Sequence, residues 1–220
     1  MQDAVIIEPR SQHISSIIWL HGLGADGHDF EAIVPELGLS DELGIRYLFP
    51  HAPVMPITIN GGMTMRAWYD VRNPDLTEQE DNDSIKQSSQ IIQNYIDAEL
   101  DKGIASNRII LAGFSQGGAI ALYTGLRYSK PLAGILALST YLPLSQTTES
   151  ELHTANQSTN ILQLHGQFDP VIPVYTGKKS FELMKHLNLD INWIDYPMQH
   201  SVCGPEINDI AVWIKSRLVS

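Results

Sequence analysis

The chain has 220 residues, 43% hydrophobic and 18% charged, with a formal charge of −11 at pH 7. Such a length buries a substantial core and suits one domain, expected to span residues 1–220, while the acidic excess argues against tracking phosphates or attraction to anionic lipid, so nucleic acid is not an expected partner. Cys203 is the single cysteine, which excludes an intrachain disulfide and the Cys/His clusters of a zinc site; residues 1–10 carry no basic leader and no apolar run is long enough to cross a bilayer, so a soluble, cytoplasmic protein is expected.

Apolar, β-branched runs predict strands at residues 5–7, 17–20, 46–49, 109–111, 134–138, 161–164 and 191–196. A short polar turn around residues 10–12 separates the first two, so the first one or two strands could run antiparallel to the rest. After the second run, Trp19-Leu20-His21-Gly22-Leu23-Gly24 makes a glycine-rich loop, and a helix is predicted over residues 29–37. Between residues 53 and 68, Met55, Ile57, Ile59, Met63 and Met65 alternate with small or polar residues around Asn60-Gly61-Gly62. That pattern fits a half-buried hairpin and also an apolar flap with adaptable methionines. Ile85, Ile92, Ile96 and Leu100 form one helical stripe, and Ile207, Ile210, Ala211, Ile214 and Leu218 form another. Strands alternating with helices call for an α/β fold, a mostly parallel central sheet with helices on both faces, whose functional loops lie at the carboxyl ends of the strands.

The fourth predicted strand, residues 109–111, leads through Ala112-Gly113-Phe114-Ser115-Gln116-Gly117-Gly118 into a helical pattern of Ala119, Leu122 and Leu126. Strand, Gly-x-Ser-x-Gly and helix together read as a nucleophile elbow, a strained turn in which side chains at Gly113 and Gly117 would meet the crossing backbone. A serine hydroxyl needs a base to take its proton, and histidine serves best near neutral pH. With an elbow of this kind the order is serine, acid, histidine. Four histidines follow Ser115. His186 falls off its helical stripe and His153 lies in a polar segment, while His165 reads as a hydrogen-bonded turn residue beside Gly166. His200 closes the last strand before the final helix and is the candidate base. Asp169, after the strand at 161–164 and before Pro170, is the candidate acid; Asp190 precedes its strand and Asp195 lies within one. The oxyanion of acyl transfer needs two preorganised amides, and these are assigned to Gln116, which opens the helix, and to Leu23 between its glycines.

These residues resemble the carboxylesterase, lysophospholipase and acyl-protein thioesterase family of α/β-hydrolases over nearly the whole chain. The matching pieces are His21-Gly22-Leu23-Gly24-Ala25-Asp26, Phe49-Pro50-His51-Ala52-Pro53, Met65-Arg66-Ala67-Trp68-Tyr69-Asp70, the elbow, and Leu164-His165-Gly166-Gln167-Phe168-Asp169-Pro170-Val171-Ile172-Pro173, with His200-Ser201-Val202-Cys203 at the end. The resemblance implies the α/β-hydrolase fold and a triad of Ser115, Asp169 and His200, with Leu23 and Gln116 as oxyanion donors. It also implies little lid and neither metal nor organic cofactor. The family usually has glycines before the histidine, whereas this chain has Tyr196-Pro197-Met198-Gln199, which bears on how freely that loop moves.

The expected function is a serine hydrolase cleaving acyl esters or thioesters, with a small alcohol, a lysophospholipid or an acylated protein supplying the leaving group. Met63, Met65 and Trp68 are expected to bind the acyl chain, and the flap could touch a membrane surface transiently or pair two copies as a homodimer. Two alternatives are a non-catalytic binding protein on the same scaffold, which leaves the full constellation without a purpose, and a serine peptidase, for whose extended substrate nothing in the chain provides.

Overall fold

Alternating side chains along each apolar run enter two separate layers, and this places the sheet between them. The structure, a computed structural model, describes residues 3–219. Its strands are β1 (Ala4–Ile7), β2 (Ser15–Leu20), β3 (Ile45–Pro50), β4 (Val54–Ile57), β5 (Met63–Arg66), β6 (Ile109–Phe114), β7 (Gly134–Leu138), β8 (Ile161–Gly166) and β9 (Ile191–Tyr196). Seven form one sheet in the order β1-β3-β2-β6-β7-β8-β9. Of the two strands that could have been antiparallel, only β1 is; it pairs with β3, and β2 runs parallel to both β3 and β6. On β2, Ile17 and Trp19 enter one layer and Ile18 and Leu20 the other.

The helices are α1 (Ile33–Glu36), α2 (Asn82–Asp101), α3 (Gln116–Arg127), α4 (Thr148–Glu151), α5 (Val174–His186) and α6 (Gly204–Leu218). Apolar side chains of α2, α3 and α5 fill one layer, and those of α1 and α6 the other. The predicted stripes are the packed faces: Ile85, Ile92 and Ile96 are fully buried, as are Ile210 and Ile214. The helix predicted over residues 29–37 shrinks to α1. The chain before it makes tight turns instead, with the amides of Asp29, Glu31 and Ile33 bonding three residues back, and Pro35 has no N–H to return to Glu31.

At the amino ends of β2 and β3 a buried carboxylate joins sheet to helix. Glu99 of α2 accepts from Arg46 Nη1 (2.5 Å), Lys102 Nζ (2.5 Å) and Ser16 Oγ (2.6 Å). At the carboxyl ends, β4 and β5 form a separate two-stranded hairpin. The alternation in residues 53–68 is thus that of a half-buried hairpin: Ile57 is fully buried, while Val54 and Met63 are 60% and 64% exposed.

Candidate active site

The elbow is built by close backbone crossing. Ser115 has φ 55° and ψ −122°, a conformation that costs a non-glycine residue about 1–3 kcal/mol and must be held by its surroundings. A Cβ on Gly113 would lie 2.4 Å from the Gly117 carbonyl, and one on Gly117 would lie 2.4 Å from Leu20 O. The turn is fastened by Ser115 N–H donating to Leu138 O (2.9 Å) and by Thr140 Oγ1–H donating to Ser115 O (2.6 Å). Thr140 carried no signal in the sequence, since its role comes from the loop after β7.

The loop after β8 brings Asp169 to the same edge. Its Oδ1 accepts the amides of Val171 (2.8 Å) and Ile172 (2.9 Å), and its Oδ2 accepts Nδ1–H of His200 at 2.6 Å. A carboxylate only accepts, so Nδ1 carries a proton, and in the neutral ring Nε2 of His200 is then the nitrogen with the lone pair. Burial alone would raise the pKa of Asp169; the His200 hydrogen bond, the two amides and the charge available on His200 outweigh it and hold the carboxyl below its ordinary range. The two loops are joined by backbone: Gln167 N–H donates to Tyr196 O (2.8 Å) and Phe168 N–H to Met198 O (3.0 Å). A Cβ on Gly166 would sit 2.2 Å from Gln199 O, so the segment lacking the usual glycines is packed tightly against β8.

His200 is brought toward the elbow by Phe114, the residue before Ser115, whose ring centroid lies 4.6 Å from that of the imidazole. Ser115 Oγ and His200 Nε2 are not hydrogen-bonded to one another, a separation that such pairs commonly close only when substrate is bound. The rival residues lie elsewhere. Asp195 accepts from Gln167 and Trp193, Asp190 accepts from Asn160, His153 caps a short turn through Ala155 N, and His186 is exposed at the end of α5.

The glycine loop after β2 lies against the elbow, with a Cβ on Gly22 falling 3.4 Å from Ser115 Cβ. The amides of Leu23 and Gln116 donate to no acceptor among the described residues, although Gly24 N–H reaches Arg66 O (2.9 Å) and Ala25 N–H reaches Gly22 O (3.3 Å). His21 braces this loop as a neutral ring: Nδ1–H donates to Gly22 O (2.7 Å), and Nε2 accepts Ala52 N–H (3.0 Å). Burial lowers its pKa, which keeps it so.

Trp68 is a correction. It was expected to touch the acyl chain, but it is fully buried, donating Nε1–H to His21 O (2.9 Å) and its amide to Gln116 Oε1 (2.8 Å). The Gln116 side chain also donates to Tyr69 O (2.7 Å) and so ties elbow, loop and hairpin together. Sequence reading assigned Gln116 only for its amide; a long amide side chain beside two glycines was the available hint. Of the other two expected acyl contacts, Met65 is half-buried with its sulfur beside Gly24, and Met63 is exposed at the hairpin. Among the described residues no three His, Cys, Asp or Glu side chains are grouped as metal ligands would be, and no helix is long and apolar enough to cross a membrane.

A strained serine between strand and helix, on a largely parallel sheet whose later loops pair an aspartate with a histidine at the same edge, defines an α/β-hydrolase. Residues 1–218 match the phospholipase/carboxylesterase family, and the chain belongs to that family. It is 37% identical to acyl-protein thioesterase 1 of Gibberella zeae, covering 97% of this chain and 95% of that one, and 34% identical to acyl-protein thioesterase 1 of Cryptococcus neoformans, covering 96% of each. Its backbone matches the crystal structure of Arabidopsis thaliana SOBER1 with a TM-score of 0.88 at 32% identity, over 93% of this chain and 99% of the other. Zea mays acyl-protein thioesterase 2 matches at 0.87 with 25% identity, over 99% and 100%. The chain is a serine hydrolase of carboxylic esters.

Proposed function

We propose that this chain, as one domain, cleaves acyl esters and thioesters through an acyl-enzyme on Ser115, with His200 as base and then acid and Asp169 as the carboxylate that orients it. The reading is carried by the 2.6 Å bond from His200 Nδ1 to Asp169 Oδ2 in a loop pair packed on the residue before Ser115. Ser115 Oγ attacks the carbonyl carbon as its proton passes to His200 Nε2, and the carbonyl oxygen becomes an oxyanion. The uncommitted amides of Leu23 and Gln116 are suited to receive that charge. Collapse breaks the bond to the leaving oxygen or sulfur, which takes the proton from His200; water then repeats the cycle on the acyl-enzyme.

The relatives named for acyl-protein thioesterase activity support an acylated protein as substrate, cleaved at its thioester. The hairpin supports a place for the acyl chain, with Met65 beside the oxyanion loop and Met63 outside it. At a net charge of −11, any membrane contact rests on the exposed Val54, Ile59 and Met63 and not on attraction to anionic lipid.

A fluorophosphonate probe should label Ser115 stoichiometrically and fail on Ser115→Ala; no labelling of the folded wild type would leave a binding protein as the better reading. A panel of nitrophenyl esters, with a palmitoylated peptide and a lysophospholipid, then ranks substrates. Each buried methylene contributes up to about 0.8 kcal/mol, so kcat/KM should climb several-fold per carbon over the chain lengths that fit. Replacing Met63 and Met65 by serine should flatten that climb and spare the acetyl ester. Equal loss on acetyl and octanoyl esters would make the methionines core residues.

A further inference from the structure

His165 is the penultimate residue of β8 and is fully buried, yet the mechanism above does not use it. Its Nε2 lies 2.8 Å from Ile172 O. A carbonyl only accepts, so Nε2 carries the proton and Nδ1 is bare. Nδ1 has no hydrogen-bond partner, and it faces Gly177 of α5, where a Cβ would come within 2.7 Å of it. The ring stacks on Trp193 of β9, centroids 5.5 Å apart and planes 15° from parallel. A buried polar ring left half unsatisfied costs about 1–3 kcal/mol compared with an apolar side chain of that shape, so packing alone is a poor reason for it.

Its one bond falls on the segment that holds the candidate acid. Ile172 gives its N–H to Asp169 Oδ1 (2.9 Å) and receives the His165 proton on its carbonyl. The segment 169–172 is thereby closed at both of its polar ends. His165 Nε2 lies 3.6 Å from Asp169 Oδ2, beyond hydrogen-bonding range, so that oxygen is left to His200. The titratable groups facing the ring are Asp169 and His200 from their loops and Asp195 of β9; burial, the largest influence, lowers the pKa of His165 and keeps the ring neutral. A second imidazolium beside Asp169 would compete with the one that catalysis creates on His200.

We propose that His165 is a positioning residue: as a neutral Nε2–H tautomer it anchors the Ile172 carbonyl, and so fixes Asp169 at the angle from which Oδ2 grips His200 Nδ1. This rests on the reading of Asp169 and His200 as catalytic partners.

The tautomer is tested on the wild-type protein by NMR of ¹⁵N-labelled histidine at pH 7. His165 should show a protonated Nε2 and a bare Nδ1; the opposite tautomer or a charged ring overturns the proposal, whatever any variant does. His165→Phe keeps a ring on Trp193 but removes the donor, while His165→Gln restores an N–H at about the reach of Nε2. His165→Phe should lower kcat by about 10- to 100-fold with KM nearly unchanged, as expected for a catalytic group displaced by a fraction of an ångström, and should broaden the downfield Nδ1 proton resonance of His200. His165→Gln should recover most of both. Wild-type kcat in folded His165→Phe overturns the inference, and so does a His165→Gln variant no better than His165→Phe. Asp169→Asn is measured alongside. Wild-type activity there would sink the triad reading itself, whereas a large loss there beside a fully active His165→Phe sinks only the role given to His165.

Discussion

Glu99 and Asp169 are both buried carboxylates, one at the amino edge of the sheet and the other at its carboxyl edge, and they differ in what surrounds them. Glu99 meets two permanent cations, Arg46 and Lys102, with Ser16 Oγ and with His13 Nε2 at 3.4 Å. Asp169 meets two backbone amides and an imidazole. Burial opposes ionisation at both, and in each case the partners win and lower the pKa. At Glu99 the compensating charge is always present, which makes the site a staple between α2 and the sheet. On the proposed mechanism a full positive charge arrives at Asp169 only when His200 takes the Ser115 proton, so the stabilisation would be largest in the transition state, where it would accelerate the reaction.

The largest effect that separates the two is on rate. Asp169→Asn should lower kcat by about 10³-fold or more, equivalent to about 4 kcal/mol of transition-state stabilisation, with little change in unfolding free energy. Ser115→Ala and His200→Ala should do the same, and pairs of these changes should cost little more than one, as the proposed triad requires of residues acting as a unit. Steady-state kinetics and urea unfolding of each variant check this. An Asp169→Asn protein that unfolds easily and works normally would make Asp169 a staple like Glu99, and the contrast would be lost.

That contrast was only half visible in the sequence. As candidates, Ser115, Asp169 and His200 were legible because each carries a local signal: glycines two positions either side of the serine, a proline after the proposed acid, and a strand end before the proposed base. The staple was not, since Glu99 finds Ser16 and Arg46 at sequence separations of 83 and 53 residues and by itself is one acidic residue in an amphipathic helix. Trp68 was misread for the same reason. Its neighbours alternate like a flap, but its burial follows from bonds to His21 and Gln116, each more than forty residues away in the chain. The seven-strand alternation survived because periodicity is local, and the helix over residues 29–37 did not because consecutive three-residue turns lead into Pro35.

At the amino edge the expected effect is on stability. Glu99→Gln removes the buried charge that Arg46 Nη1 and Lys102 meet and leaves Arg46 only the exposed Glu8 (3.0 Å), and it should destabilise the fold by up to about 3 kcal/mol, with kcat unchanged at temperatures where the protein stays folded. Since the folded pKa of Glu99 lies below its unfolded value, the ionised pair contributes fully above the ordinary carboxylate range, and that contribution fades as pH falls through the folded value. Wild-type stability should therefore drop below about pH 4.5, and the drop should shrink in Glu99→Gln. Denaturant melts at pH 3.5 and 7 decide it; an unchanged acid limb would remove Glu99 from the account.

A third buried carboxylate sharpens the comparison because it has neither kind of compensation. Glu206, in the first turn of α6, accepts only Cys203 N–H at a long 3.4 Å through Oε2, while Oε1 has no hydrogen-bond partner. Burial raises its pKa, the nearby Asp209 adds to the rise, and the Cys203 amide opposes it only in part, so the carboxyl is pushed up to about 7. The folded protein therefore holds a proton that the unfolded chain releases near pH 4.5. Stability from this source is complete below that value and is lost as pH rises through about 7, opposite in sign to Glu99. Glu206→Gln keeps the size and the capping acceptor and removes the titration. It should add on the order of 1–2 kcal/mol at pH 8.5 and almost nothing at pH 5, read from denaturant melts at the two values. A gain of equal size at both would mean that the carboxyl is not shifted by folding and is already ionised at pH 5, and a loss at pH 8.5 would mean that its charge is compensated as that of Glu99 is.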